Sequence, residues 1–364
     1  MPARLSSMRA MIEAEYNMML PDWQNFLSDA GAELEQGRVV SFGNPERERS
    51  IVMTGSMFCD LSHRGLIAVT GEEALEFLQN QLSSDVREVS GTRSQLSSYC
   101  SPRGRMLASP RVFRRNDTFY LNLPIEILAP TLQRLRMFVL RARVSLADHS
   151  LELVRCGYAG PDAEQELKEA LGDCPAAVDD TLQAGELTVL RIPGQHPRFE
   201  IHGPTGAVTK LWERLNVRGA PVGAASWALL DILSGIPNIY PATVDRFVPQ
   251  MANLQLIGGL SFKKGCYPGQ EVVARMHYLG NVKRRMYRIS AVTDTIPKPG
   301  DSIVAAGKGT NEPSGTIVEA QLNPDSSGVA ALAVLRIADA EQQQLRLWDA
   351  DGAKVTLETL PYDG

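Results

Sequence analysis

The stretch Ser261–Gly280, SFKKGCYPGQEVVARMHYLG, brings together the residue types best suited to chemistry. Lys263 and Lys264 precede Gly265 and Cys266; Pro268 suits the first turn of a helix, Glu271 falls near its positive end, and Gly280 supplies a stop. This spacing sets Cys266 just before a helix N-terminus and beside two ammonium groups. Both settings favour the thiolate, the form that attacks electrophiles and exchanges with disulfides, over a thiol of ordinary pKa about 8.5. Gly265 and Gly269 let backbone approach a flat ligand or turn with positive φ. The same residues also admit a plainer reading, with Cys266 a small buried filler, Tyr267 a core aromatic and the lysines a solvated edge. On the residues alone both readings stand. Lys283, Arg284, Arg285 and Arg288 form a second cluster, fit either for an anionic ligand or RNA phosphates or for plain solvation. Arg103, Arg105, Arg111, Arg114 and Arg115 are dense, but a hairpin alternates its faces and need not gather them into one patch. His149, His196, His202 and His277 are dispersed and receive no role.

The elements that must carry these residues fall into a body and a tail. Arg64–Thr70 reads as an apolar strand, followed by Gly71 and a helical pattern over Glu72–Leu82. Arg198–His202, Gly203 and the helical run Ala207–Leu215 repeat that order, which favours two α+β halves of similar build over one doubly wound sheet. Arg111–Arg115 and Thr118–Leu123 flank Asn116-Asp117 as a hairpin, and Pro124–Leu140 then reads as helical. Ala224–Ser234 forms a short helix closed by Gly235 and Pro237, and an irregular, Pro- and Gly-rich connection runs on to Phe262. Ahead of the body, residues 1–44 read as a helical appendage in which Asp22, Trp23, Phe26 and Leu27 mark a capped amphipathic helix. Met8, Met11, Met18 and Met19 lie upstream of its first turn or at its edge, so a native start later than Met1 is expected. Beyond about residue 284, short β-rich runs alternate with turn clusters such as PKPGD and DADG, the pattern of a small antiparallel barrel or sandwich. That segment holds no cysteine or histidine and is not expected to house chemistry.

Composition excludes several classes. At 364 residues the chain has room for two or three domains, and its 44% apolar and 22% charged residues are those of a folded globular protein. A net charge of 37 − 42 = −5 gives no general attraction to nucleic acid. The five cysteines are scattered and never spaced C-x-x-C, so neither a disulfide framework, a structural zinc site nor a resident iron–sulfur cluster is expected. No apolar run approaches the ~20 residues of a membrane span, and Glu13 and Glu15 break up any signal-peptide core, so a cytoplasmic location without membrane contact is expected.

Lys264-Gly265-Cys266-Tyr267-x-Gly269-Gln270-Glu271, followed by Arg275, resembles the K-G-C-[FY]-x-G-Q-E signature of the YgfZ folate-binding proteins, relatives of the glycine cleavage T-protein. Arg246–Gln250, Asn253-Leu254, Gly258–Phe262 and Met57–Gly65 extend the likeness, which spans about residues 50–364. The resemblance implies an α+β fold of two intertwined halves (residues 45–283) and a C-terminal antiparallel β-barrel (284–364), enclosing a crevice for tetrahydrofolate. It further implies that Cys266 is the functional residue and that the KGC loop lines the crevice, with Lys264, Gly265, Tyr267, Gly269, Gln270, Glu271 and Arg275 counted as cofactor-binding. Trp227 matches a tryptophan implicated in folate contact, and an indole face suits a pterin. Arg64 falls where some members have a second tryptophan; a guanidinium also stacks on flat rings. The T-protein pattern carries an Asp-Asp pair where this chain has Ala108-Ser109, and neither residue supplies a carboxylate. The resemblance therefore implies a folate-binding accessory protein that supports iron–sulfur enzymes, including those that modify tRNA, rather than an aminomethyltransferase. A one-carbon transferase, or a tRNA-binding module acting through weak contact with the arginine clusters, are the alternatives.

Overall fold

Arg64–Thr70 is a strand buried from Arg64 to Val69, as a run of apolar and β-branched residues between two packed layers should be. In this computed structural model, which describes residues 19–278, 280, 282–306, 313–342 and 344–363, it is the second strand of a five-stranded antiparallel sheet. The order is Ser145–Asp148, Arg64–Thr70, Thr118–Pro124, Arg111–Arg115, Gln95–Leu96. The expected hairpin turns at Asn116, where φ is 53°. A second sheet has the order Thr181–Ala184, Leu187–Ile192, Arg198–Gly203, Val154–Ala159, Met57–Asp60, Ala220–Val222, antiparallel except for its last pair.

Two short links weave the sheets together. Met57–Asp60 and Arg64–Thr70 are consecutive in the chain yet lie in different sheets, and so do Ser145–Asp148 and Val154–Ala159. The links touch: the Leu61 amide donates to the Arg155 carbonyl at 3.0 Å, and the buried Arg155 guanidinium donates to the Ser150 and Leu153 carbonyls at 2.5 and 2.7 Å. Asp60, wholly buried at the same place, accepts from Ser62 Oγ at 2.7 Å and from the Trp23 indole at 2.8 Å. Burying ionised groups is tolerable only when such partners replace water.

Trp23 belongs to the segment expected as an appendage, and that expectation is corrected. From residue 19 onward the segment forms the helix Pro21–Asp29 and a hairpin of Glu33–Glu35 with Arg38–Ser41, and it is built into the body. Trp23, Leu27 and Val39 are fully buried among Phe58 and Tyr158 of the second sheet and Trp212 of the helix Thr205–Leu215 that covers it. Met8, Met11 and Met18 lie outside the described residues.

The expected helices are present, shorter at Ala74–Gln79 and Ala224–Leu233 and two residues longer at Thr205–Leu215; in Pro124–Leu140 a 3-10 turn, Ile125–Ile127, leads into Leu128–Arg136. The C-terminal strands close into a barrel ordered Arg284–Ala291, Val329–Arg336, Gly315–Leu322, Ser302–Ala305, Leu345–Leu347, Lys354–Glu358, so each of these strands has a neighbour on both sides. The barrel packs on helix Ala224–Leu233, and Val318, Leu332 and Val334 join the main core rather than the barrel's own. No helix among the described residues is long and apolar enough to cross a membrane.

The buried Trp23–Asp60 bond gives the first prediction. Trp23→Ala removes a core indole and takes one of the donors from a buried carboxylate, and should destabilise the whole body by about 3–5 kcal/mol in urea unfolding. An unchanged unfolding midpoint would mean the N-terminal segment is an appendage after all.

Candidate functional site

A cavity of about 410 Å³ opens where the N-terminal hairpin, the first link between the sheets, helix Ala224–Leu233 and the barrel meet. Each element contributes for a local reason. The link exposes His63 and Arg64; the helix turns Ala224, Ala225, Trp227, Ala228 and Asp231 towards the space, small residues on one face leaving room; the barrel supplies Glu319 to Gln321 at a bulge in strand Gly315–Leu322.

Arg64 is the centre of the polar wall. Its Nε donates to Asn122 Oδ1 at 2.9 Å and its Nη1 to Asn238 Oδ1 at 3.1 Å. Each asparagine passes the polarisation on through its amide nitrogen: Asn122 donates to Glu200 at 2.8 Å, and Asn238 to both Asp231 and Glu319 at 3.1 Å. Asp231 is already paired with the buried Arg198 at 2.7 Å, and the Tyr240 hydroxyl donates to Glu319 at 2.6 Å. The two glutamates respond in opposite directions. Burial, with the nearby Asp231 charge, pushes the Glu319 carboxyl up to about 7. Burial would raise Glu200 too, but His202 at 3.7 Å (an electrostatic neighbour rather than a hydrogen-bond donor at that distance) and the Arg64 and Arg111 charges outweigh it and hold Glu200 below the usual range. Burial beside Arg38 and Arg64 keeps His63 well below its ordinary pKa, and therefore neutral.

Trp227 lines the cavity but is almost wholly buried. The Arg198 guanidinium sits 4.1 Å from its ring centroid, and Gly157 of the second sheet faces the ring so closely that a Cβ there would come within 2.3 Å. Only glycine at 157 lets the indole lie against the sheet. Part of the ring is thus engaged by the protein itself, which reduces the free indole face expected from the sequence.

The KGC loop lies apart from this cavity: none of Lys264, Gly265, Cys266, Tyr267, Gly269, Gln270, Glu271 or Arg275 is among its lining residues. Lys264 turns inward, donating to the Gln79 carbonyl at 2.5 Å and to the Leu82 carbonyl at the end of helix Ala74–Gln79, and sits over the buried Tyr267 ring. Burial pushes its ammonium down to about 8. Its hydrogen bonds go to these carbonyls and not to Cys266. Gly269, with φ 81°, seats the loop on the turn Ser101–Gly104, where a Cβ would meet Gly104 Cα and Ser101 O at 2.5 Å. Gln270 opens the helix Gln270–Tyr278, while Glu271 and Arg275 pair with each other on its exposed face at 3.2 Å. Cys266 is exposed, as are Lys263 and Gly265. The bland reading of Cys266 as buried filler is thereby excluded.

The structure also shows what the sequence reading passed over. Asp231, Asn238, Tyr240 and Glu319 wall the cavity, so the barrel does contribute an ionisable group to it. Faint signals existed: Asp231 is the one charged residue in the apolar helix AASWALLDIL, and Glu319 the one in GTIVEAQL. Ala108 is fully buried, and Ser109 is committed to the Pro237 carbonyl at 2.7 Å.

Glu319 sets a pH dependence. The unfolded chain releases this proton near 4.5 and the folded chain near 7, so the folded state holds more protons across that window. Stability therefore falls as pH rises through it, by about 3 kcal/mol. Urea unfolding at pH 5 and pH 8 should show that Glu319→Gln removes most of this fall; identical pH profiles for the two proteins would refute the shift.

Comparison with known proteins agrees with this architecture. Residues 1–230 match the family described as the GCVT N-terminal domain. The tRNA-modifying protein YgfZ of Colwellia psychrerythraea is 30% identical over 304 residues, covering 83% of this chain and 92% of its own. That of Edwardsiella ictaluri is 32% identical over 297 residues, covering 81% and 89%. The glycine cleavage system aminomethyltransferase T from Bartonella henselae shares the fold, with a TM-score of 0.78 at 19% identity over 94% of this chain and 97% of that one. With nearly a third of its residues shared across four-fifths of its length, and with intertwined sheets and a closing barrel, the chain belongs to the YgfZ family.

Proposed function

We propose that this protein binds a tetrahydrofolate-type cofactor in the cavity walled by Trp227 and Arg64, and that it acts in tRNA modification as an accessory protein supporting iron–sulfur enzymes. The observation that carries the cofactor reading is the cavity itself. Its volume of about 410 Å³ falls within the ~300–1,000 Å³ of small-molecule sites, and it joins an indole, a guanidinium with unused donors and the carboxyl groups of Glu126, Asp231 and Glu319. A pterin is a flat ring with a donor- and acceptor-bearing edge, and those groups suit it. The tRNA link rests on membership of a family whose curated relatives carry that name.

In this reading Trp227 supplies an apolar wall, Arg64 and Asn238 hold polar edges, and Glu319 takes up or gives up a proton at the barrel side. The bound cofactor would supply one-carbon or reducing chemistry. Aminomethyl transfer is disfavoured, because positions 108 and 109 present a buried methyl group and a hydroxyl tied to a carbonyl. Cys266, exposed and apart from the cavity lining, is assigned to a macromolecular partner. Thiol exchange with that partner suits an exposed sulfur better than capture of a one-carbon unit from a ligand held elsewhere.

The two parts separate by mutation. Ala228 is half-buried on the cavity wall, so Ala228→Phe should fill the space without disturbing the Arg64 network. Equilibrium dialysis should show tetrahydrofolate binding at least about tenfold weaker, with the melting temperature nearly unchanged. Wild-type protein that takes up no tetrahydrofolate would end the cofactor reading. Cys266→Ala should leave folate affinity and melting temperature nearly unchanged yet fail to restore tRNA modification in cells lacking the protein, and full restoration would remove Cys266 from the function.

A further inference from the structure

Two guanidiniums line the cavity, and they are not equivalent. Arg38, near the rim, is paired with Glu126 at 3.0 Å. Arg64 is only 7% exposed and makes no ion pair among the described residues, since its two recorded bonds go to the neutral oxygens of Asn122 and Asn238. Asp231 is taken by Arg198. A guanidinium has five N–H donors and accepts nothing, and two of those donors are used here. The other three find no acceptor among the described residues, and Arg64 lines the cavity. Burying a cation in this condition is costly unless a ligand completes its shell.

We propose that Arg64 binds an acceptor oxygen of the folate ligand, either a formyl oxygen on the pterin or a carboxylate of the glutamate tail, so that this cavity selects folates by an oxygen placed at Arg64. The inference rests on the cofactor reading above and deepens it. A stacking aromatic at this position would accept any flat ring, whereas a buried donor rejects a ligand that strips its water and returns no acceptor.

The test is a set of affinities measured by equilibrium dialysis for 5-formyltetrahydrofolate, 5-methyltetrahydrofolate and 5-formyltetrahydropterin, which lacks the tail. If the formyl oxygen is held, wild-type protein binds both formyl compounds at least about tenfold more tightly than the methyl compound. If the tail is held, it binds the two tailed compounds alike and the tailless one at least about tenfold more weakly. In either case Arg64→Met erases the preference, and Arg64→Lys, which keeps the buried charge but loses the planar fork, reduces it. Wild-type affinities within about twofold of one another for all three overturn the proposal without recourse to any variant, as does a folded Arg64→Met protein that keeps the wild-type preference. Absence of binding by every folate defeats the cofactor reading and this inference with it, whereas binding without selection defeats this inference alone.

Discussion

A guanidinium removed from water has to be answered by acceptors, and Arg64 has two, Asn122 and Asn238, which tie it to carboxylates on other parts of the molecule. Asn122 stands on the first sheet, Glu200 on the second, Asp231 on the helix beneath the barrel, Asn238 in the connection after it, and Glu319 on the barrel wall. Both asparagines turn oxygen to the cation and nitrogen to a carboxylate, and reversing either amide would set like against like on both sides. Such a network makes the relative placement of these elements sharp, because a partly satisfied buried network is worse than none. The cavity opens on the side of this network where Arg64, Asp231, Asn238 and Glu319 come together.

The same economy shapes the indole at the cavity wall. Trp227 is held between its own helix, the glycine at 157 and the Arg198 cation, and Arg198 is in turn neutralised by Asp231 from the next turn of that helix. The ring and the carboxylate therefore belong to one rigid unit. A ligand meeting one of them meets the other, so shape and charge are presented together.

How much of this could be read in advance depended on whether the signal was local. Arg64–Thr70 was legible because its apolar run is a property of seven adjacent residues, and the family signature around Cys266 because its spacing is unbroken; the membership it implied is the one the relatives show. Turn clusters marked the C-terminal strands as a barrel or a sandwich and the family resemblance chose the barrel, although the strand Ser302–Ala305 and the helix Ile337–Gln342 left too little pattern to find. The Arg64 network was invisible, since its members are separated by up to 174 positions within one bond and no local periodicity links them. The inward turn of Lys264 was equally hidden: a lysine beside a cysteine looks like its neighbour until the helix-end carbonyls that claim it are seen.

The woven sheets carry an implication for synthesis. Met57–Asp60 is among the first strands made, yet both of its partners, Val154–Ala159 and Ala220–Val222, come from far down the chain. Until the ribosome has delivered those residues, the early strand has two unpaired edges and a hydrophobic face with nothing to cover it. The strands of the first sheet are all made by Asp148, but the second sheet cannot close until Val222 has been delivered, so the nascent protein passes through a long interval in which that early strand stays exposed.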